Sequence, residues 1–419
     1  MRLDLLPANG EYVDMPVGDV VTEAGIRIPS VNLRLHAFFD DATGATPTPP
    51  EQRPIMLVEH ALTGDGNVTD WWADMVGPGK PIDTTKYLVL CANALGGCSG
   101  STGPGSLDPE GGFWGSRFPG ISIRDMVQAE KQMLDLLEIE RVHAVIGASM
   151  GGARTLEWSL MFPDMMTAAL AIAVSARASA WQIGIQSSQI RVIEADPLWH
   201  GGDYYEAGMG PVWGLGQARR IAHLTYRGEL EVDERFATEP QTGENPYGKY
   251  RDSTQRFAVE SYLDNQAVKL RNRFDAGSYV VLTDALNRHD VGRGRGGMNA
   301  ALWSSTVPTM VAGVDTDILY PFHQQEHLSR NLGEFLGLSQ ITSPTGHDGF
   351  LIESRQMGNV LDKFLRIAAE IANESETPEK GGQADQAGSG NTPGQEDETG
   401  KSATSGSGSL AAERVHADS

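Results

Sequence analysis

The chain has 419 residues, 40% of them hydrophobic, enough to bury a sizeable core as one large α/β domain or as a core with an inserted subdomain. Its 33 basic and 55 acidic residues leave a formal charge of −22, which argues against nucleic acid as a partner, because counterion release needs clustered cations. Two cysteines, Cys91 and Cys98, are too few for a disulfide framework or a thiolate metal site, so a reducing compartment and no bound metal are expected.

Asp4 interrupts the N-terminal apolar residues, and the longest nearly apolar run, Met165 to Ala176, falls well short of the roughly 20 residues of a bilayer span. A soluble, cytoplasmic protein without membrane contact is expected. Residues 17–39 read as two strands, and Val31 to Phe38 alternates with the period-two pattern of a half-buried antiparallel strand. Pro54 to His60 is a continuous apolar run suited to a buried parallel strand. It opens into Ala61-Leu62-Thr63-Gly64, a loop placed to supply an oxyanion donor, assigned to the backbone N–H of Leu62.

Tyr87 to Ala92 reads as the next buried strand, and the glycine- and serine-rich loop Gly96 to Gly120, with Trp114, is expected on the rim of a site. Ile123, Met126, Val127, Met133, Leu134 and Leu137 recur at helical spacing and form a core stripe. Val142 to Gly147 then gives way, through Ser149-Met150-Gly151-Gly152, to a helix-forming segment from Ala153. Gly-x-Ser-x-Gly is weak as a bare pattern. Between a strand and a helix it marks a strained turn that lifts the Ser149 hydroxyl clear of the sheet, with the Met150 N–H aimed at developing oxyanion charge.

Ala168 to Val174 is another apolar strand, and strands alternating with helices imply a mostly parallel sheet covered on both faces. From Arg177 to Arg293 the strands stop, and an aromatic, helix-leaning stretch reads as a lid inserted into the sheet. Within it Arg219, His223 and Tyr226 share one helical face by their spacing, which reads either as a cradle for a small zwitterion or as a solvated face. Gly292 to Gly297 formally matches a dinucleotide fingerprint but follows no strand, so that reading is discarded.

The sheet resumes at Thr309 to Val314, followed by Asp315 and Asp317; a last strand around Gln340 to Ser343 precedes His347. A Ser…Asp…His order places the orienting acid after a late strand and the base in a following loop, which assigns Asp317, with Asp315 as its rival, and His347. Residues 1–176 and 294–372 therefore read as the core, and 177–293 as the lid. Residues 373–419, rich in Gly, Ser, Glu and Gln, read as a disordered tail that catalysis does not need.

Taken together, His60-Ala61-Leu62-Thr63-Gly64, Gly96-Gly97…Ser99…Gly103-Pro104, Gly147 to Gly152, Ala218-Arg219…Leu224-Thr225-Tyr226, Glu260 to Leu263 and Gly346-His347-Asp348-Gly349-Phe350 resemble the homoserine O-acetyltransferase family. The resemblance covers residues 10–370. It implies an α/β-hydrolase fold and, in methionine biosynthesis, transfer of an acetyl group from acetyl-CoA, a co-substrate rather than a tightly bound cofactor, to homoserine. It further implies a triad of Ser149, Asp317 and His347, oxyanion donors Leu62 and Met150, and an acceptor site of Arg219, Tyr226 and Asp348, with Arg219 on the carboxylate and Asp348 near the amine. Family members pair through their lids, so a homodimer is expected. Ala153-Arg154 stand where many relatives carry Met-Gln, on a helix expected beside the acyl pocket. A succinyl donor, serine as acceptor, or plain ester hydrolysis are the alternatives on the same scaffold.

Overall fold

The computed structural model describes residues 1–41 and 48–376. Among the described residues ten strands form: β1 (Tyr12–Val21), β2 (Arg27–Phe38), β3 (Ile55–Glu59), β4 (Val76–Gly77), β5 (Ile82–Asp83), β6 (Leu88–Ala92), β7 (Val142–Ala148), β8 (Met166–Ile172), β9 (Thr309–Val314) and β10 (Phe335–Ile341). β4 and β5 pair only with each other, and the remaining eight make one sheet in the order β1-β2-β6-β3-β7-β8-β9-β10. β1 and β2 are antiparallel to their neighbours, and β3, β6 and β7 to β10 run parallel.

The central strands are apolar throughout because the sheet is covered on both faces. In β3, Leu57 packs into one core layer while Met56 and Val58 enter the other; in β7, Val145 divides in the same way from Ala144 and Ile146. The first layer is closed by the helices Ile123–Leu136 and Met150–Met161. The second is closed by the helix Ser354–Glu376, through Met357, Val360, Leu361, Phe364 and Leu365.

Ile123–Leu136 begins where a reciprocal cap permits it: Ser122 accepts from the Asp125 backbone while the Asp125 carboxylate accepts from the Ser122 N–H. Between β8 and β9 the chain leaves the sheet for six helices of six or more residues, from Ala180–Glu194 to Met298–Trp303. Of these, Val212–Tyr226 packs on Ala180–Glu194 and Ala258–Arg271, and it also meets the turn Gly346–Asp348. The insertion is thereby tied to a loop at the carboxyl edge of the sheet, where ligands of open parallel sheets bind.

Several boundaries differ from the sequence reading. β1 starts at Tyr12 rather than near 17. The last strand is Phe335–Ile341 and ends before Thr342. The C-terminal helix runs to Glu376, so residues 373–376 belong to it; its apolar stripe carries the helix past the last large apolar side chain. The rest of the expected tail lies outside the described residues. The loop Gly96 to Gly120 is not chiefly a rim. It runs beside β2 beyond the part of that strand paired with β6, with Thr102 N–H donating to Asn32 O, and meets the insertion where Ser116 pairs with Asp203. Among the described residues, no helix is long and apolar enough to cross a membrane.

Candidate active site

Ser149 sits between β7 and the helix Met150–Met161 with φ 57° and ψ −119°, a conformation that L residues adopt only when the surroundings impose it. The surroundings are backbone. A Cβ on Gly147 would lie 2.2 Å from the Gly151 carbonyl oxygen, and one on Gly151 would lie 2.0 Å from that of Glu59. Both positions exclude every side chain, so strand and helix close tightly around the serine. The Met150 amide, first in its helix, faces no carbonyl partner, and the Leu62 amide after β3 also donates to no backbone acceptor among the described residues.

Asp317 follows β9. Its Oδ1 accepts the amides of Leu319 and Tyr320, each at 2.8 Å, a turn that leaves Oδ2 directed at His347 Nδ1, 2.6 Å away. A carboxylate acceptor requires the proton on Nδ1, which leaves Nε2 as the free base. Burial by itself depresses the His347 imidazolium, but the Asp317 charge, its hydrogen bond and the nearby Asp348 outweigh it, so His347 is raised above its ordinary value. Asp315, the rival acid, instead receives the Ser343 amide at 3.0 Å.

Ser149, His347, Leu62, Arg219, Tyr226 and Asp348 line one cavity of about 170 Å³. No hydrogen bond joins the Ser149 hydroxyl to the His347 ring among the described residues; such contacts commonly tighten only when substrate binds. Tyr226 and Tyr320 brace the imidazole, with ring centroids 5.8 and 5.3 Å from it. The Arg219 guanidinium lies 5.2 Å from the Tyr226 ring centroid. Asp348 faces it across the cavity, raised from the usual carboxylate range by burial and pulled back by His347, Arg219 and Arg227; the Arg227 guanidinium lies 3.8 Å from its Oδ2.

His223, grouped with Arg219 and Tyr226 by helical spacing, does not line the cavity. It turns into the insertion and meets the Tyr262 hydroxyl at 2.6 Å, where burial and the surrounding arginines hold it at about 3. Arg154 does not line the cavity either; it is fully buried behind the serine. From the long glycine-rich loop, only Gly97, Cys98 and Ser99 approach, in a small recess behind Leu62. Sequence reasoning missed Arg273, which enters the cavity and donates to the Thr63 carbonyl at 2.6 Å. It also missed Trp71 and Tyr320. Only Tyr320 carried a signal, standing three residues after the acid on the same turn.

Residues 54–354 match the model of the α/β-hydrolase fold. The chain is 80% identical to homoserine O-acetyltransferase of Corynebacterium urealyticum over 377 residues, 90% of this chain and 97% of that one. It is 49% identical to the Mycobacterium marinum homoserine O-acetyltransferase, over 87% of this chain and 95% of the other. Among solved structures, esterase E22 aligns with TM-score 0.74 at 22% identity, covering 85% of this chain and 99% of that one. The Bacillus anthracis homoserine O-acetyltransferase aligns with TM-score 0.73 at 21%, covering 85% and 96%; at these identities both speak to the fold alone. A mostly parallel sheet with a strained serine at its carboxyl edge, joined to identities of this size over nearly the whole of the relatives, places the chain in the homoserine O-acetyltransferase family of the α/β-hydrolase fold.

Proposed function

We propose that the protein transfers the acetyl group of acetyl-CoA to the side-chain hydroxyl of homoserine through an acetyl-Ser149 intermediate, the step by which O-acetylhomoserine enters methionine biosynthesis. The observation that carries this reading is the lining of the cavity: a guanidinium, Arg219, and a carboxylate, Asp348, share it with a strained serine. Ester hydrolysis has no use for that charge pair, whereas an amino acid presents both complementary ends.

In the first half-reaction His347 Nε2 takes the Ser149 proton as Oγ attacks the thioester carbonyl, while Asp317 holds the ring in the competent tautomer. The tetrahedral oxyanion is received by the amides of Leu62 and Met150. The C–S bond then breaks, and His347 returns the proton to the departing thiolate. In the second half-reaction homoserine lies with its carboxylate on Arg219, a charge-assisted and potentially bidentate contact, and its ammonium toward Asp348. Tyr226 packs beside it. His347 removes the hydroxyl proton, the alkoxide attacks the acetyl carbonyl, and Ser149 leaves with the proton restored. Transfer outruns hydrolysis because the insertion limits water and the bound acceptor stands at high effective concentration.

Mass spectrometry of protein incubated separately with acetyl-CoA and succinyl-CoA tests the reading. Acetyl on Ser149, released by homoserine and not by serine, is the expected result. Succinyl labelling, or label released equally well by water, would overturn it. The active species is proposed to be a homodimer, since Trp181, Val212, Trp213 and Leu224 on two neighbouring helices of the insertion are exposed.

A further inference from the structure

Directly behind the serine lies a charged cluster that the mechanism above does not use. Arg154, fully buried, places Nη1 2.6 Å from both Glu59 and Glu130, and its Nη2 donates to the His60 carbonyl at 2.7 Å. The Trp158 indole donates to the same two carboxylates at 3.1 and 3.0 Å. Burial raises the Glu59 carboxyl well above its usual range, against the pull of the Arg154 charge and with the added push of the neighbouring Glu130. Buried ions with this many partners are costly to assemble, and apolar residues fill a core position at less expense. The reason for a guanidinium here lies in what its second nitrogen holds.

The His60 carbonyl opens the loop that carries Leu62. The His60 ring extends the connection: Nε2 accepts the Ala94 amide at 3.0 Å, so the proton sits on Nδ1, which donates to the Ala61 carbonyl at 2.8 Å. That carbonyl belongs to the same peptide plane as the Leu62 N–H. A peptide is planar, so fixing its oxygen fixes the direction of its N–H. Burial, and then the neighbouring Arg154 charge, keep the ring neutral, at about 3, so this tautomer persists at every working pH. At its other end Arg154 stands one turn after Met150 in the same helix. One side chain thus joins the helix whose first amide is one oxyanion donor to the loop whose amide is the other.

We propose that Arg154 is a positioning residue for the oxyanion pocket: through the His60 carbonyl it sets the distance and direction of the Leu62 amide relative to that of Met150. This rests on the acyl-serine reading of the site. The test uses Arg154→Lys, which keeps the charge but cannot reach both carboxylates and the carbonyl together, and the pair R154Q/E130Q, which removes the guanidinium together with one of its two carboxylate partners. Three quantities are measured on the folded proteins: the rate of Ser149 acetylation by acetyl-CoA, inhibition by trifluoroacetone, whose adduct with Ser149 is a tetrahedral oxyanion, and homoserine affinity by calorimetry.

Acetylation and ketone affinity are expected to fall together by about 10- to 100-fold, less than the loss of a whole oxyanion donor, with homoserine affinity unchanged. Should Arg154→Lys fail to fold, the double variant decides by the same measurements. Acetylation and ketone binding at wild-type levels in a folded variant would overturn the proposal, as would homoserine affinity falling in step with them, which marks general loosening. Wild-type protein that is neither acetylated nor inhibited by the ketone sinks the acyl-serine reading and this inference with it. A reactive wild type beside unaffected variants sinks this inference alone.

Discussion

His347 is held by two opposed influences, burial against the Asp317 carboxylate 2.6 Å from Nδ1, and the balance sets the pH at which Nε2 becomes a base. Because the folded value lies above the ordinary one, the rate of Ser149 acetylation should rise with pH through a midpoint above the ordinary imidazole value of about 6.5. In Asp317→Asn burial remains and only the smaller attraction of Asp348 opposes it, so the midpoint should drop below that value while the maximal rate falls by roughly 10⁴ through loss of the tautomer. Stopped-flow acetylation across pH reads both; a midpoint that stays where it was would contradict the pairing. At the opposite wall, Arg219→Ala removes a charged hydrogen-bonding partner. It should raise the KM for homoserine by an amount corresponding to roughly 1.5–3 kcal/mol, leaving Ser149 acetylation intact, as separate half-reaction kinetics would show.

At the scale of elements, the turn at Ser149 stores strain that the packed backbones of Gly147, Gly151 and Glu59 impose. Glycine accepts the same φ without penalty. Ser149→Gly should therefore gain about 1 kcal/mol of stability, the release of roughly 1–3 kcal/mol of strain less the added freedom of the unfolded chain, with all transfer abolished. Ser149→Ala keeps the strain and should melt near the wild-type temperature, so calorimetry of the two variants separates strain from chemistry. The helix Ile123–Leu136 makes a control remote from the reaction. Ser122→Ala opens one half of the capping box and should cost about 1 kcal/mol in denaturant unfolding without altering kcat.

For the whole molecule, every residue assigned a role in the site lies between Glu59 and Asp348, and the described fold closes with the helix ending at Glu376. Protein ending at residue 376 should keep the kcat and the melting temperature of the full chain; a loss of either would assign work to the segment beyond it. The proposed dimer would use the insertion, where Trp181 and Trp213 are exposed. Light scattering at micromolar concentration checks it, with Trp213→Glu expected to yield monomers.

Local chemistry determined much of this protein in advance. Period-two and all-apolar runs specify strands because a pleated strand turns alternate side chains to opposite faces. The Gly-x-Ser-x-Gly turn between strand and helix marks Ser149 as the candidate nucleophile, because only glycine tolerates backbone at such distances, and places after late strands mark Asp317 and His347 as its proposed partners. What depends on residues distant in sequence meeting across the sheet was decided by tertiary structure alone. Helical spacing put His223 beside Arg219 and Tyr226, but which of the three faces the cavity rests on Tyr262, 39 positions away. Arg273 reaches Thr63 across 210 residues, and Arg154, on the helix that the resemblance sets beside the acyl pocket, is buried against Glu59 and Glu130. Charge pairing of that kind leaves no periodic trace in a sequence, because it is fixed by distance in space and not by separation along the chain.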